Sequence, residues 1–372
     1  MDMRIPSLER VVIKGYKSVA HCDLSLGDLN ILIGPNGAGK SNFISAFTFL
    51  GALVKNSLQL KIAEMGGPQM ILYRGKDSIS RSLEMEFDFG LNGYRFSLIP
   101  TQTNTFVFEK EAFGFHNPIE KPEQSYFEDI KSEIGGYLET KLMQGTKKGM
   151  DKYVRPVLSS EKWKVFHFHD TSRTALMKGN SAVTDNVSLH SDAGNIASFL
   201  LRLKNQFPTQ YRDIVVEIRD IFPLFEDFVL EPDENGFVLL RWKQKGIEAT
   251  FNPHQLSDGT IRFICLATLL LQPVGLAPTT IIIDEPELGL HPKAISFLGE
   301  LLENRKKFFQ IIVSTQSPEL LKNVSPEDIV VVEQKDQGSS FRRLDPDSLK
   351  GWLEKDFSLS ELWDMNILGG RP

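Results

Sequence analysis

Short unbroken apolar runs and strict alternations divide the chain into two kinds of strand. LNILI (residues 29–33) is apolar but for Asn30, and the isoleucines Ile281–Ile283 in TTIIIDEP and Ile311–Val313 in IIVSTQSPEL are continuous apolar runs. That is the pattern of strands covered on both faces, as in a parallel sheet. SLEMEFDF, YRFSLIP and TFVFEKEAFGF alternate instead and predict antiparallel strands. Helical spacing appears at Phe43, Ala46, Phe47 and Leu50, and again at Phe263, Ile264, Leu266, Ala267 and Leu270. NIASFLLRLKNQF and YRDIVVEIRDIF are helical by period, YFEDIKSEIGGYLETKL weakly so, and FVLEPDENGFVLLRW reads as a hairpin. KVFHFHD predicts a strand with His167 and His169 on one face, a surface or core pair rather than a metal site. No heptad run interrupts the chain, so no long coiled-coil arm is expected.

Chemistry enters at the end of the first apolar run. GPNGAGKS follows LNILI directly and has the form G-x-x-x-x-G-K-S, with Gly34, Gly39, Lys40 and Ser41 at the fixed positions. The backbone N–H groups of Gly34, Pro35, Asn36, Gly37, Ala38 and Gly39, Pro35 excepted, can turn inward around phosphate oxygens, and Lys40 reaches the terminal phosphates. Ser41 offers a hydroxyl to Mg²⁺, and Asn42 continues the loop into a helix whose N-terminus attracts the same anion. ATP with Mg²⁺ is the ligand this pattern predicts.

A second acidic feature stands at the C-terminal end of the isoleucine strand. Asp284 is placed to hold Mg²⁺, and Glu285 to polarise an attacking water. Upstream, QLSDGTIRFICLATLLL sets Ser257 at or near the N-cap of a helix, with Gly259 permitting close backbone approach. A hydroxyl, a glycine and free helix N–H groups make an anion site. At the third run, Ser314-Thr315-Gln316-Ser317 reads as a polar turn closed by Pro318, at the sheet edge where open α/β folds place their chemistry.

Together these segments resemble an ABC-type ATPase. LSDGT is similar to the ABC signature, DEPELGLHP to Walker B with the D-loop, and STQSP to the switch loop. IKGYKS resembles the opening of the RecF, OLD and SMC branch, while GGPQMILYRG and SLSELWDMNILGGRP resemble a group of stand-alone RecF-like bacterial ATPases. The resemblance implies an α/β P-loop NTPase with an ABC-type head, in which a mixed sheet carries an antiparallel β subdomain and a helical signature lobe. The boundaries expected are 1–115 and 273–372 for the two parts of the ATP-binding lobe, and 116–272 for the inserted lobe. It also implies a homodimer sandwiching two ATP molecules, with Ser257 of each subunit serving Lys40 of the other. Lys17 and Ser18 approach the adenine side or the phosphates by the same resemblance, and Gln69 is a weak candidate for the metal-contacting glutamine of the Q-loop.

Departures from the family pattern bear on rate. Gln316 stands where most relatives carry histidine; it keeps a donor and an acceptor but cannot become a cation. Asp258 replaces a glycine of the signature and is expected to point away from triphosphate and cap its own helix.

The bulk numbers add bounds. The 372 residues favour two lobes; 42 Lys+Arg against 48 Asp+Glu give a net charge of −6, so no global basic excess announces nucleic acid. TKKGMDKYVRP, with Lys147, Lys148, Lys152 and Arg155 around Tyr153, is the best local basic segment, leaving DNA contact open. Cys22 and Cys265 form no framework, and neither a leader-like apolar region nor a membrane-length run occurs, so a cytoplasmic protein is expected. Trp352, Leu353, Leu362 and Trp363 are expected to pack the tail onto a lobe or a partner. The resemblance points to bacterial DNA maintenance or antiphage defence, with a separate nuclease or toxin as effector. A slow, ATP-gated scaffold restraining a partner protein and a transporter ATPase subunit are the competing readings.

Overall fold

The computed structural model describes residues 7–76, 79–116, 125–129, 136–142, 151–159, 162–335 and 338–371. Two six-stranded sheets dominate it. The mixed sheet runs in the order 338–343, 329–335, 29–33, 310–315, 280–284, 163–166. Four of its five pairings are parallel, and only the hairpin of Ile329–Lys335 with Gly338–Arg343 is antiparallel. The other sheet is antiparallel, in the order 19–25, 10–16, 83–89, 92–100, 106–116, 125–129.

Why the parallel strands read as continuous apolar runs is clear from what each face meets. Leu29, Ile31 and Ile33, with Ile281, Ile283, Ile311 and Val313, pack into a core shared with the helices Ile196–Gln206, Pro208–Ile221, Asp258–Leu271 and Pro292–Arg305. Leu32, Ile282 and Ile312 face the opposite way, into a core made with the helix Lys40–Val54 and the antiparallel sheet. A period of two with both faces covered leaves few polar positions, and those present, such as Asn30 and Gln310, are buried and hydrogen-bonded. The helix Lys40–Val54 is itself caught between two sheets, so Ile44, Phe49 and Leu53 are buried along with Phe43, Ala46, Phe47 and Leu50. The single apolar stripe expected from the sequence is therefore a wrap-around surface.

Several local expectations are corrected. The strand of the third run extends over Gln310–Thr315, and Ser314 and Thr315 are wholly buried in it, so the turn begins at Gln316. The register with Ile281–Asp284 and with Leu29–Ile33 holds those two residues in the ladder. Ser125–Asp129, read as weakly helical, is instead a strand pairing with Phe106–His116, and Tyr137 bridges Phe108. His167 and His169 follow the end of the strand Trp163–Phe166 rather than lying in it. The expected hairpin forms between Phe225–Val229 and Arg241–Gln244, but Phe237–Val238 leaves it to pair with Ser181–Ala182. In the tail Leu362 and Trp363 are fully buried, whereas Trp352 is 37% exposed. Lys147 and Lys148 of the basic segment lie outside the described residues. Cys22 and Cys265 are buried free thiols. Among the described residues no helix is long and apolar enough to cross a membrane.

Candidate active site

The three parallel strands 29–33, 280–284 and 310–315 end side by side, and their exits build one cleft. Leu29–Ile33 releases the glycine loop, which enters the helix at Lys40 with Gly39 as its N-cap. Gly39 has φ 110°, and a Cβ there would lie 2.0 Å from Ser339 Oγ and 2.8 Å from Ser18 Oγ. Only glycine fits this turn. Ser18 is thus placed against the loop: its hydroxyl contacts Ser339 Oγ at 2.7 Å and accepts from Asn42 Nδ2 at 2.8 Å. Ser339, on the far hairpin, has no signal in the sequence.

Lys40 is 4% exposed, and its Nζ donates to the carbonyls of Gly34 (2.6 Å) and Pro35 (3.1 Å). Burial pulls its pKa down, while the carboxylates of Glu285, Glu287 and Asp284 pull the other way. A buried ammonium resting on carbonyls, with no carboxylate in direct contact, is suited to an incoming anion. Asn36, Gly37, Gly39, Lys40, Ser41, Asn42 and Glu285 line a cleft of about 170 Å³.

The acidic half is set by the neighbouring strands. Ser41 Oγ donates to Asp284 Oδ1 at 3.3 Å, and the buried Ser314 hydroxyl donates to the same oxygen. Glu285 adopts φ 43°, a left-handed backbone that a non-glycine residue holds only at a cost of about 1–3 kcal/mol. Its N–H is fixed on Ser314 O at 3.0 Å. The Gln316 side-chain Nε2 donates to Glu285 Oε1. The glutamine that the sequence left as a bare substitution for histidine is therefore a partner of the adjacent carboxylate.

Glu287 was not singled out by sequence reasoning, although it lies two residues beyond Glu285. It is 7% exposed, accepts the Gln316 backbone N–H at 2.7 Å through Oε1, and leaves Oε2 buried without a partner among the described residues. Burial raises its pKa. His169 and Arg262 were likewise missed in these roles. The Nε2–H of His169 donates to Asp284 O at 2.8 Å. Arg262 donates to Phe168 O (3.0 Å), His169 O (2.6 Å) and Leu288 O, which ties the signature helix to the acidic loop.

Ser257 is the N-cap of Asp258–Leu271, its hydroxyl accepting from Thr260 N at 3.1 Å. Asp258 does not cap that helix. It sits in the first turn and accepts from Lys178 Nζ at 3.2 Å, because the buried Lys178 ammonium needs an anion and lies beside it. That contact holds the Asp258 carboxyl below its usual range. Gly259 packs on the acidic loop, where a Cβ would come within 2.3 Å of Gly289 O. Ser257 is exposed, and among the described residues no hydrogen bond links it to the glycine loop of its own chain. Lys17 (φ 47°) donates from Nζ to Ser45 Oγ at 3.0 Å, in the helix that the glycine loop enters. Gln69 is exposed in the short helix Pro68–Ile71, and no described hydrogen bond joins it to Ser41 or Asp284.

The donor set fits Mg²⁺ and a triphosphate. A serine hydroxyl and a carboxylate 3.3 Å apart are hard oxygen ligands of the kind Mg²⁺ takes, completed by phosphate oxygens and water. The glycine loop is shaped by the absence of a Cβ at residue 39; its Ala38 N–H donates to Pro35 O at 3.2 Å, and such a loop of N–H groups suits phosphate oxygens.

Comparisons with known proteins agree with this geometry. Residues 29–322 match the family described as "AAA domain, putative AbiEii toxin, Type IV TA system". Over 84 residues the chain is 33% identical to the phosphate import ATP-binding protein PstB of Ehrlichia ruminantium, in strains Gardel and Welgevonden. That match spans 23% of this chain and 32% of the length of each relative. The fold is similar to the SmcHead bound to the C-winged helix domain of ScpA, with TM-score 0.61 and 14% identity, covering 94% of this chain and 100% of that one. It is also similar to the Smc head domain with an extended coiled coil bound to the C-terminal domain of ScpA from Pyrococcus furiosus, with TM-score 0.56 and 14% identity over 94% and 99% of the two chains. The chain belongs to the AAA-domain family of that description, and its fold is that of a P-loop ATPase head of the ABC type.

Proposed function

We propose that the chain is a Mg²⁺-dependent ATPase switch whose hydrolytic site is completed by a second copy. The observation that carries it is the convergence of Lys40, Ser41, Asp284 and Glu285 on one cleft. Lys40 moves from the Gly34 and Pro35 carbonyls to the terminal phosphates. Ser41 and Asp284 would hold the metal, which would supply charge neutralisation at the phosphates. Glu285 accepts a proton from the attacking water, and Gln316 aims the Glu285 carboxylate through its amide donor.

The cleft of about 170 Å³ is smaller than the roughly 300–1,000 Å³ of self-contained ligand sites, so one chain walls only the phosphate end. The exposed Ser257 and the adjoining Gly259 would close it in a two-fold dimer, where each protomer serves the other's ATP. A group that completes such a site in trans contributes about 10³–10⁵ in rate. In this reading the segments 1–115, 116–272 and 273–372 remain the units of the chain, with Trp163–Phe166 lent by the middle segment to the ATP-binding sheet. Closure of the dimer acts on a separate protein effector, in a cytoplasmic setting of DNA maintenance or antiphage defence. The ScpA domain bound to the similar Smc heads supports a head that works through a protein partner.

Lys40→Ala removes the buried cation that meets the phosphates. Loss of both ATP binding, by titration calorimetry, and turnover is expected; wild-type rates in this variant would sink the assignment.

A further inference from the structure

A second cavity lies away from the ATP cleft, at the opposite end of the same strands. It measures about 460 Å³, within the roughly 300–1,000 Å³ of small-molecule sites. Four cations line it: Lys55, Lys162, Lys164 and Arg202. Lys162 precedes the edge strand Trp163–Phe166, and Lys164 lies in it. Lys164 Nζ donates to Leu189 O at 2.6 Å, and Arg202 Nη1 to the carbonyls of Asn186 and Val187, both at 2.9 Å. Those two are held in place on the wall. Lys55 and Lys162 have no ion pair among the described residues.

Like charges gathered at one cavity repel: burial lowers the pKa of Lys164 and the nearby charge of Lys55 adds to the effect, while the carboxylates of Asp192 and Asp185 oppose it. Two helix C-termini also end here, at their caps Lys55 and Gln272. Their partial charges of about −0.5 each add to the carboxylates that act on Lys164, but put no counter-ion on Lys55 or Lys162. Gln272 is 1% exposed, and its Oε1 has no donor among the described residues, while its Nε2 donates to Leu269 O. A buried acceptor without a donor is rare in a native fold, and Gln272 is among the residues that line the cavity.

We propose that this cavity binds a small phosphorylated ligand, whose phosphate meets Lys55 and Lys162 and whose hydroxyl or amino group donates to Gln272 Oε1. Nucleoside phosphates and sugar phosphates share that chemistry. The site is distinct from the glycine loop, yet it caps the far ends of the helices that begin at Lys40 and at the Ser257 turn. The volume of the cavity, within the range of small-molecule sites, favours a small molecule over a nucleic-acid strand.

The test is calorimetric titration of the full chain with adenosine 5′-monophosphate and with ribose 5-phosphate, separating the two sources. At least one compound is expected to bind the Lys40→Ala protein as it binds wild type. The Lys55→Glu/Lys162→Glu protein, folded by its thermal midpoint, is expected to bind it about tenfold more weakly or worse. Lys55→Gln/Lys162→Gln replaces it should the charge reversal unfold the chain, with the same direction expected. Several results would overturn the site: no binding of either compound at millimolar concentration, loss of binding in Lys40→Ala, or indifference to both double substitutions. Binding of a single-stranded oligonucleotide in place of both compounds would do the same.

Discussion

Gln316 and Glu287 hold the two ends of one small device. Glu287 accepts the Gln316 backbone N–H, and the Gln316 amide donates to Glu285. Removing the amide in Gln316→Ala leaves Glu285 unaimed, and loss of a preorganised donor of this kind costs on the order of 10²-fold in rate. Gln316→His restores an N–H donor at similar reach and should be tolerated or faster. Single-turnover hydrolysis decides it, and an unchanged alanine variant would make Gln316 a bystander. Glu287 carries a separate expectation. Its folded pKa is raised by burial, so its stabilising contribution is complete below the ordinary Glu range, about 4.3, and is lost as pH rises through the raised value. Urea midpoints should therefore show wild type losing ground to Glu287→Gln between acidic and neutral pH. A difference independent of pH would contradict the shift. Lys40, Ser41, Asp284 and Glu285 were legible because contiguous motifs fix their spacing. His169, Arg262 and Ser339 were not, since each reaches the site from a segment remote in sequence.

At the scale of elements, close packing of the signature helix on the acidic loop sets what can be changed. A Cβ at Gly259 would stand 2.3 Å from Gly289 O, a backbone atom that cannot swing aside. Gly259→Ala is expected to cost about 1–3 kcal/mol, the usual range for overpacking, and to lower the urea midpoint. Gly275→Ala, with nothing within 4 Å of its Cβ, is the matched control and should be near neutral. Equal midpoints would show that the loop gives way freely. The same scale explains which elements the sequence revealed. Continuous apolar runs marked the parallel strands because both their faces are covered. The one-stripe reading of Lys40–Val54 and the turn reading of Ser314-Thr315 failed for a common reason. Burial between layers, and hydroxyls turned to serve a site, are tertiary effects that local pattern does not carry.

The whole molecule poses a question of completeness, because the exposed Ser257 cap makes no described bond to its own glycine loop. A closed dimer answers it. Glu285→Gln keeps the phosphate contacts and the metal-holding pair while losing the proton acceptor, so it should accumulate as a dimer with ATP and remain monomeric without it. Light scattering reads this directly, and monomer in both conditions would remove the sandwich. Complementation is a sharper test of which subunit serves which. Lys40→Ala and Ser257→Ala should each be inactive alone, since every site in either homodimer lacks one group. In a mixed dimer the Ser257→Ala protomer contributes an intact Lys40 and faces an intact Ser257 on its partner, so one of the two sites is whole. Random mixing makes half of the dimers mixed, each with one complete site, and turnover should return to about a quarter of wild type. Service within one chain would instead leave every site in the mixture defective and the rate at background, which would refute the exchange of Ser257 between subunits.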